Sequence, residues 1–540
     1  MNMKQMALIN GKLYVKPGVF AQAALCEDGV IRQVGTTADI LAAAGDAQVV
    51  DCGGRTVIPG LNDSHMHLLG VGVGMYEADI TGVRSIDELV ERVRAYRQRY
   101  PERCTEGIHA VGWNQDLFTG EKRIPDRYDL DRVATDIPVV LERICGHVAT
   151  GNSRVVELLG LTKASPQYTG GTWERDAQGE PSGVFTENGC GMAVGTIPGY
   201  SREAVESMFL QAAEYALSRG VTSVQSNDAG TSWASRALLM PLLKELYEQG
   251  RCKLRYRYQI SFESPAELRE FCADEQRFAR YETDRLKLGP VKLFKDGSLG
   301  GRTALMRQDY LDDAGNRGIT VMDRALMDEY CRAADENGMQ VVTHVIGDRA
   351  VEETLESYET VLHEGKNPLR HGLIHCQITD LPLLQRMVRD QVPAFYQPIF
   401  LDYDMHAVVS RCGEALSSTS YAFQTLEKLG GRVSYGTDSP VEDCDPFPNL
   451  YSAVTRKDKT GWPEGGFFPA ERVSVEQAVD AYTAGSAWAE FQEDTKGRIA
   501  PGFLADFAVL DRDIFTCDPM EIRTIRPVMT VVAGEVVFEK

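Results

Sequence analysis

The sequence predicts an α/β protein: a TIM-type (β/α)8 barrel that carries a small β-sandwich domain formed by both termini and an inserted subdomain. Three observations lead to this prediction. In the middle of the chain, eight short β-rich runs alternate with helical patterns, which is typical of βα units and a parallel sheet. Both ends of the chain show short β-rich runs punctuated by Gly instead. One connection between barrel strands is several times longer than a crossover needs.

The terminal segments predict one composite β-sandwich. Each segment consists of short runs of alternating apolar and polar residues separated by turn residues, a pattern typical of antiparallel strands. The first segment covers residues 1–57 and the last covers 495–540. The barrel is then predicted over 58–80 and 201–494.

The barrel strands are predicted as apolar runs that close on polar residues. The eight runs are Ile58–His67, Val221–Asn227, Lys253–Ser261, Val291–Lys295, Gln340–His344, Gly372–Gln377, Val392–Gln397 and Arg432–Thr437. Two helices between them have readable boundaries. Helix 323–337 begins at the capping Asp323 and is closed by Gly338, and helix 349–364 is closed by Gly365. Asp is a favoured residue at helix starts and Gly just after helix ends.

The long connection between the first two barrel strands predicts the inserted subdomain. It contains turn-rich aromatic segments such as Gly112–Asn114. We assign residues 81–200 to a subdomain that covers the barrel mouth, where the reactive groups of such barrels lie.

Composition excludes several classes of partner. The chain has 540 residues and a formal net charge of −21, which argues against binding to nucleic acid or anionic lipid. The N-terminus has no apolar run of signal-peptide length, and no stretch approaches the roughly 18 apolar residues of a membrane span. We expect a cytoplasmic protein with a small-molecule substrate. A homo-oligomer such as a dimer stays open.

Histidines concentrate at the ends of predicted barrel strands. The chain has 9 His, and His65, His67, His344 and His375 are placed there. His65 and His67 form an H-x-H pair whose side chains share one face of an extended strand, so both imidazoles can bind one metal. Asp438 closes the last strand. Three or four His and a carboxylate suit a divalent ion such as zinc.

Lys292 lies within the fourth predicted strand. A charged lysine that faces inward is costly to bury, so burial should lower its pKa. A neutral amine can take up carbon dioxide and form a carbamate, an anion able to bridge two cations. Lys295 faces the opposite side of the pleat and is the weaker candidate.

These motifs together resemble the amidohydrolase superfamily and, within it, the YtcJ-like branch of metal-dependent hydrolases, which includes N-substituted formamide deformylases. The segments that carry the resemblance are Pro59–Leu61 before the H-x-H pair, Asp296–Ala304, Gly347–Ala350 after His344, Gly436–Pro440 around Asp438, and Lys496–Gly502. They occur in the expected order and strand positions, and the resemblance covers essentially the whole chain.

The resemblance implies a binuclear metal centre, most simply with two zinc ions; manganese, iron or cobalt suit the same ligands. His65, His67 and Asp438 would bind one ion, His344 and His375 the other, and a carboxylated Lys292 would bridge them. The implied reaction is hydrolysis of a carbon–nitrogen bond other than a peptide bond, in a linear N-acyl or N-formyl amide. Metal-activated hydroxide would attack, with Asp438 as general base and then acid.

Matching family segments also suggest residues that bind the substrate, namely His147, Arg302, Trp113, Glu187 and Gln397. Arg302 holding a loop and Trp113 packing in a core are equally open interpretations. Two other functions also remain open. One is a deaminase or cyclic-amide hydrolase of the same fold, although deaminases of this superfamily typically lack a bridging lysine. The other is a catalytically silent barrel that serves as a binding scaffold, against which the complete ligand set argues.

Overall fold

The computed structural model describes residues 5–144, 147–167, 171–231 and 233–540. The first eight strands are β1 (Gln5–Ile9), β2 (Lys12–Lys16), β3 (Val19–Ala21), β4 (Ala23–Glu27), β5 (Val30–Gly35), β6 (Gln48–Asp51), β7 (Thr56–Pro59) and β8 (Leu61–Met66). They are followed by β9 (Ile108–Trp113), β10 (Val139–Arg143), β11 (Val148–Gly151), β12 (Gly171–Arg175) and β13 (Pro181–Glu187). The rest are β14 (Val221–Ser226), β15 (Arg255–Tyr258), β16 (Leu286–Lys287), β17 (Val291–Phe294), β18 (Val341–Val345), β19 (Gly372–His375), β20 (Ala394–Tyr396), β21 (Val433–Tyr435), β22 (Phe507–Leu510), β23 (Pro527–Val532) and β24 (Glu535–Glu539).

The α-helices alternate with these strands through the middle of the chain. They span Thr37–Ala43, Leu68–Tyr76, Ile86–Arg99, Arg127–Asp131, Ser153–Leu158, Asn188–Val194, Arg202–Ser218, Arg236–Glu248, Pro265–Ala273, Arg277–Tyr281, Arg324–Asp335, Asp348–Glu359, Leu381–Arg389, Leu401–Asp404, Val408–Cys412, Glu414–Ser417, Phe423–Lys428, Pro446–Thr455, Val475–Asp480 and Ser486–Ala489. Across the described ranges, no helix combines the length and apolar character needed to cross a membrane.

The chain divides into two compact units, residues 1–71 with 209–540 and residues 72–208. The second unit contains a sheet with strand order β12-β13-β11-β10-β9. Its helix Ile86–Arg99 begins at Ser85, whose side chain accepts a hydrogen bond from Glu88 N, and buries Ile86, Leu89, Val90 and Val93 along one face. This second unit spans the whole range predicted for the inserted subdomain, 81–200.

Strands from both termini share one sheet in the first unit. The order β24-β23-β22-β7-β2-β3 places C-terminal strands beside N-terminal ones, and a separate sheet has the order β5-β4-β1-β6. Side chains from both sheets meet in one buried cluster that includes Leu8, Ile31, Val57, Phe507 and Val531. The pairing is largely antiparallel, but β1 with β6 and β2 with β7 are parallel.

Two all-parallel sheets form the centre of the first unit. Their orders are β16-β15-β14-β8 and β17-β18-β19-β20-β21, which agrees with the predicted α/β class. The strands are buried on both faces, as in parallel sheets covered by helices. Lys292 N donates to Ile260 O between the two sheets, and Asp438 N donates to His65 O at the other edge. The carboxyl ends of these strands therefore lie at one end of the unit.

Two predicted elements differ from the structure. The predicted strand Ile58–His67 is two strands, because the chain changes sheets at Gly60: β7 pairs with β22 in the terminal sheet, whereas β8 pairs with β14. The helix predicted over 349–364 ends at Glu359. Glu364 and Gly365 both have positive φ and form a two-residue turn in which His363 and Lys366 exchange backbone hydrogen bonds. Gly365 therefore closes a turn, not a helix.

A histidine between two carboxylates predicts a pH-dependent stability for the second unit. His109 Nδ1 lies 2.7 Å from Glu77 Oε1, and its Nε2 lies 2.7 Å from Glu142 Oε1. Burial alone would lower the pKa of His109, but the hydrogen bonds to Glu142 and Glu77 outweigh it and raise the pKa to about 10. Because the folded pKa exceeds the ordinary value of 6.5, the stabilisation is complete below that pH and is lost as the pH rises through 10.

We therefore expect the melting temperature to fall between pH 6.5 and 10, with a loss of stability on the order of a few kcal/mol. His109→Gln should flatten this part of the profile and lower stability mainly on the acidic side. Melting curves of both proteins across this pH range measure the effect. An equal slope in the variant would contradict the assignment of the charge to His109.

Candidate metal centre

Three predicted ligands converge at the carboxyl ends of β8 and β21. Asp438 Oδ1 lies 3.2 Å from His65 Nε2 and 3.3 Å from His67 Nε2. One ligand atom from each of these side chains lies within 4.8 Å of the other two. The three residues could therefore hold one metal ion, and the H-x-H spacing produces the convergence because β8 directs residues i and i+2 to the same side.

Hydrogen bonds fix the orientation of both histidine rings. His65 Nδ1 lies 2.6 Å from Gln259 Oε1, and His67 Nδ1 lies 2.6 Å from the backbone oxygen of Asn227. Each Nδ1 therefore donates to an oxygen, so Nε2 is the nitrogen that faces Asp438 and that a metal could bind in place of a proton. Metal-binding histidines characteristically use their second nitrogen in this way.

A buried carboxylate, Asp63, supports the ends of β8 and β21. Its oxygens accept hydrogen bonds from the backbone N and Oγ1 of Thr437, from His65 N and from Tyr482 Oη. Thr437 directly precedes Asp438, whose φ is 56°. Burial raises the pKa of Asp63 to about 7, against the lowering effect of these donors. Asp63 thus ties together the two segments that carry the ligands.

His344 and His375 lie beside the first three ligands. The ring centroids of His344 and His375 are 4.5 Å apart, and those of His65 and His375 are 5.6 Å apart. His375 Nδ1 lies 2.7 Å from Gln397 Oε1, and His344 Nε2 lies 2.9 Å from the backbone oxygen of Gly297. The structure therefore brings together all four histidines that the sequence singled out.

Lys292 supplies a buried amine without a hydrogen-bond partner. Its Nζ makes no hydrogen bond in the part of the chain that the structure describes, and lies 3.5 Å from the ring centroid of Phe294. Burial lowers the pKa of Lys292 to about 7, although Asp438 acts in the opposite direction. An orphaned amine beside four imidazoles and a carboxylate fits a site that holds a further charged group.

Lys295 has a different environment from that of Lys292. Its Nζ lies 2.7 Å from Glu353 Oε2 and donates to the backbone oxygen of Met322 at 2.8 Å. The side chain is fully buried but completely paired. The side chains of Lys292 and Lys295 thus have different surroundings, as expected for residues on opposite faces of a strand.

The electrostatics of the site suit metal ligation. Burial lowers the pKa of His65 to about 4 and that of His344 to about 3, and it holds the pKa of His375 well below 6.5. Burial alone would raise the pKa of Asp438, but hydrogen bonds from His65 and His67 outweigh it and hold that pKa well below the ordinary range. His67 differs, because burial alone would lower its pKa but the hydrogen bond to Asp438 outweighs it and raises that pKa. Neutral imidazoles and an ionised carboxylate are the forms that bind a metal, so a metal at this site would replace the proton of His67.

Aromatic rings that the sequence did not indicate surround the histidines. Trp233 contacts His67 with centroids 5.3 Å apart, Phe294 lies 5.7 Å from His344, and Phe400 stacks on His375 at 5.5 Å. Phe294 is 38% exposed although it lies in a strand. Such rings limit access of water to the site and supply apolar contact surface.

The predicted substrate-binding residues of the first unit differ in their surroundings. Gln397 is buried and contacts His375, so it orients a candidate ligand. Arg302 forms a two-point ion pair with Asp312, through Nε at 3.1 Å and Nη2 at 2.7 Å. This pairing matches the loop-holding interpretation of Arg302, and its contact with substrate stays a prediction.

The other predicted substrate-binding residues belong to the second unit. His147 Nδ1 lies 3.0 Å from Glu187 Oε2, and both side chains are exposed. Trp113 is fully buried, packs in the core of this unit and donates from Nε1 to Leu141 O at 3.0 Å. This position favours the core interpretation of Trp113, whereas His147 and Glu187 stay open as substrate-binding residues.

The partners of the histidine rings predict how tightly a metal is held. Gln259→Leu removes the acceptor that orients His65, so we expect metal affinity to fall roughly 10–100-fold. Competition with a chelator measures the change. Gln225→Leu is the matched control, because Gln225 is a buried glutamine of a neighbouring strand whose side chain donates to Ser486 O. Equal affinity in Gln259→Leu and the parent protein would remove Gln259 from the site.

Comparison with known proteins agrees with this geometry. A family model described as "Amidohydrolase family" matches residues 48–538. The chain is 30% identical to YtcJ of Bacillus subtilis (strain 168) over 531 residues, 97% of either chain, and 26% identical to the N-substituted formamide deformylase of Arthrobacter pascens over 540 residues, 96% of this chain and 95% of the relative. An uncharacterized metal-dependent hydrolase from Pyrococcus furiosus has a TM-score of 0.78 at 30% identity, covering 95% of this chain and 100% of that structure. The chain therefore belongs to the amidohydrolase family and is a metal-dependent hydrolase.

Proposed function

We propose that the protein hydrolyses a carbon–nitrogen bond other than a peptide bond, in a linear N-acyl or N-formyl amide, at a binuclear metal centre. The observation that carries this proposal is the buried, unpartnered amine of Lys292 among four histidines and Asp438. A site for a single ion would be complete with His65, His67 and Asp438 and would leave Lys292 without a role. The lysine therefore favours an amide hydrolase over a deaminase.

The proposed scaffold is an eight-stranded barrel made of β8, β14, β15 and β17–β21. Its support is that backbone hydrogen bonds run from Lys292 to Ile260 between the two parallel sheets and from Asp438 to His65 at the outer edges. The proposed terminal sandwich, residues 1–57 and 495–540, is supported by the sheet in which strands of both termini pair. The proposed insertion, residues 81–200, is supported by the compact unit 72–208, which contains it.

In this proposal His65, His67 and Asp438 hold one ion, and His344 and His375 hold the other. The bridge is Lys292, whose neutral amine adds to the carbon of carbon dioxide and releases one proton, giving a carbamate with two oxygens. Zinc suits this mixture of imidazole and carboxylate ligands, as do manganese, iron and cobalt.

Bound divalent ions would lower the pKa of water and polarise the scissile carbonyl. Side chains of the site transfer the proton and keep the ligands in position. Asp438, held ionised, accepts a proton from the attacking water and delivers it to the leaving nitrogen. Gln259 and Gln397 keep the rings of His65 and His375 in position through their Nδ1 atoms. Burial of the site keeps competing water away from the reacting groups.

The formamide deformylase among the relatives directs the choice of substrates. At 26% identity it hints at an amide substrate, and its name suggests a formyl group on a substituted nitrogen. The test is a panel of N-formyl, N-acetyl, carbamoyl and cyclic amides, assayed with metal-loaded protein whose metal content is measured in parallel.

We expect close to two ions per chain and turnover of linear amides. Turnover of cyclic amides alone would replace the linear-amide proposal by the cyclic-amide hydrolase. Well-folded, metal-replete protein that hydrolyses no member of the panel would reject the amide substrate and leave the family assignment intact.

A further inference from the structure

A cavity lies in the first unit, lined by none of the predicted ligands. It has a volume of roughly 440 Å³ and is lined by β15 and β16, by the β4–β5 turn and by the segment that follows the last α-helix. None of its described lining residues is a predicted metal ligand or substrate-binding residue. Its size lies within the range of sites for small organic ligands and exceeds that of a single ion.

The wall of this cavity is rich in cations. Five of its lining side chains are cationic: Arg255, Arg257, Arg285, Lys287 and Lys496. The lining contains three carboxylates, Asp28, Asp284 and Glu490. The lining residues alone therefore carry two more cations than carboxylates, and two further carboxylates just outside the lining, Asp506 and Glu282, pair with two of those cations.

Three of the five cations already have carboxylate partners. The pairs are Arg255 with Asp506 at 2.7 Å, Lys287 with Glu282 at 3.3 Å, and Lys496 with Glu490. These pairs hold the wall together, because Arg255 and Asp506 connect the parallel sheet to the C-terminal segment. Arg257 and Arg285 are the two remaining cations of the lining.

Arg257 and Arg285 form no ion pair within the described parts of the chain. Arg257 Nη1 donates to the backbone oxygen of Glu490, while its Nε is buried and has no hydrogen-bond partner. The side chain of Arg285 forms neither a hydrogen bond nor an ion pair among those residues. A buried N–H without a partner costs free energy unless a ligand or water satisfies it.

The strand register adds an independent observation. Arg257 on β15 lies directly opposite Lys287 on β16. Like charges at directly opposed positions of a sheet repel each other. Glu282 already offsets the charge of Lys287 in this pair, which leaves the guanidinium of Arg257 as the member without an ion pair among the described residues.

We propose that this cavity binds a small organic anion that carries a phosphate or carboxylate group, held by the guanidinium groups of Arg257 and Arg285. Arginine suits this task because its planar donors match two oxygens of a carboxylate or phosphate at once. The volume of the cavity leaves space for an organic part attached to the anionic group.

Arg285→Gln tests the proposal, because it removes a charge that no described contact uses. The probes are inorganic phosphate and glutarate, titrated by calorimetry at low ionic strength into the metal-loaded protein. We expect one site per chain that binds at least one probe, with affinity roughly tenfold or more weaker in Arg285→Gln. Arg512→Gln, which changes an exposed arginine paired with Glu521, should bind like the parent protein. Tighter binding of phosphate or of glutarate identifies the anionic group.

Either probe could also bind at the metal centre, so two further variants locate the site. Asp438→Asn should retain the binding, whereas Arg257→Gln should weaken it. If Arg257→Gln does not fold, because Arg257 also contacts the Glu490 carbonyl, Arg285→Gln alone decides. No saturable binding of either probe, or equal binding by Arg285→Gln and the parent protein, would overturn the proposal.

Discussion

Asp438→Asn should lower kcat for amide hydrolysis roughly 10²–10⁴-fold, the range expected when a general acid–base group is lost. The amide keeps the size of the carboxyl group, but it cannot accept the proton of the attacking water. It also replaces an anion that lies 3.2 and 3.3 Å from the Nε2 atoms of His65 and His67. Steady-state kinetics and circular dichroism together separate a catalytic loss from a folding defect.

Asp390→Asn is the matched control for this variant. Asp390 is 5% exposed and Asp438 is 7% exposed, but Asp390 pairs with Arg389 at the end of a helix instead of contacting histidines. We expect kcat within a few-fold of the parent value. Parent-like turnover by Asp438→Asn would remove Asp438 from the mechanism, and metal analysis would show whether it still acts as a ligand.

The positions of three candidate ligands could be predicted because each closes a run of apolar residues. Reactive groups of a parallel barrel lie at the carboxyl ends of its strands, so the order of residues along the chain already contains this information for His344, His375 and Asp438. The same reasoning separated Lys292 from Lys295, since the pleat sends them to different surroundings. Local pattern was sufficient for these residues.

The partners of these ligands could not be predicted in the same way. Gln259 lies 194 residues from His65 in the sequence, and nothing in its neighbourhood indicates that its side chain meets an imidazole. Asp63 was visible within the first motif, but its role depends on Thr437 and Tyr482 from the far end of the chain. Such contacts are set by the tertiary arrangement, which a single sequence does not encode locally.

The break between β7 and β8 also depends on contacts with distant parts of the chain. No turn signal stronger than Pro59–Gly60 separates the two strands in the sequence, and the pattern predicts one strand, Ile58–His67. The backbone at Gly60 has room for no side chain, because a Cβ there would lie 2.2 Å from Thr222 Oγ1. Gly60 N donates to Asp506 O, and Leu61 N donates to Gly220 O. The chain changes sheets at this point through contacts with two distant segments.

Lys292→Ala should lower the metal content of the protein. Metal affinity and turnover should both fall by more than roughly 10–100-fold, the loss expected for a residue that only orients a ligand. Removing the side chain leaves a space beside His344 and His375, and a short-chain carboxylic acid supplied with metal should occupy it and restore part of the activity. Lys295→Ala is the control on the same segment. It removes a buried amine paired with Glu353, whose carboxylate keeps its second partner, Arg349, so the variant should lose stability but still fold, and it should gain nothing from added acid. Unchanged metal content in Lys292→Ala would exclude the lysine bridge, whereas rescue of that variant alone would assign the bridging role to Lys292.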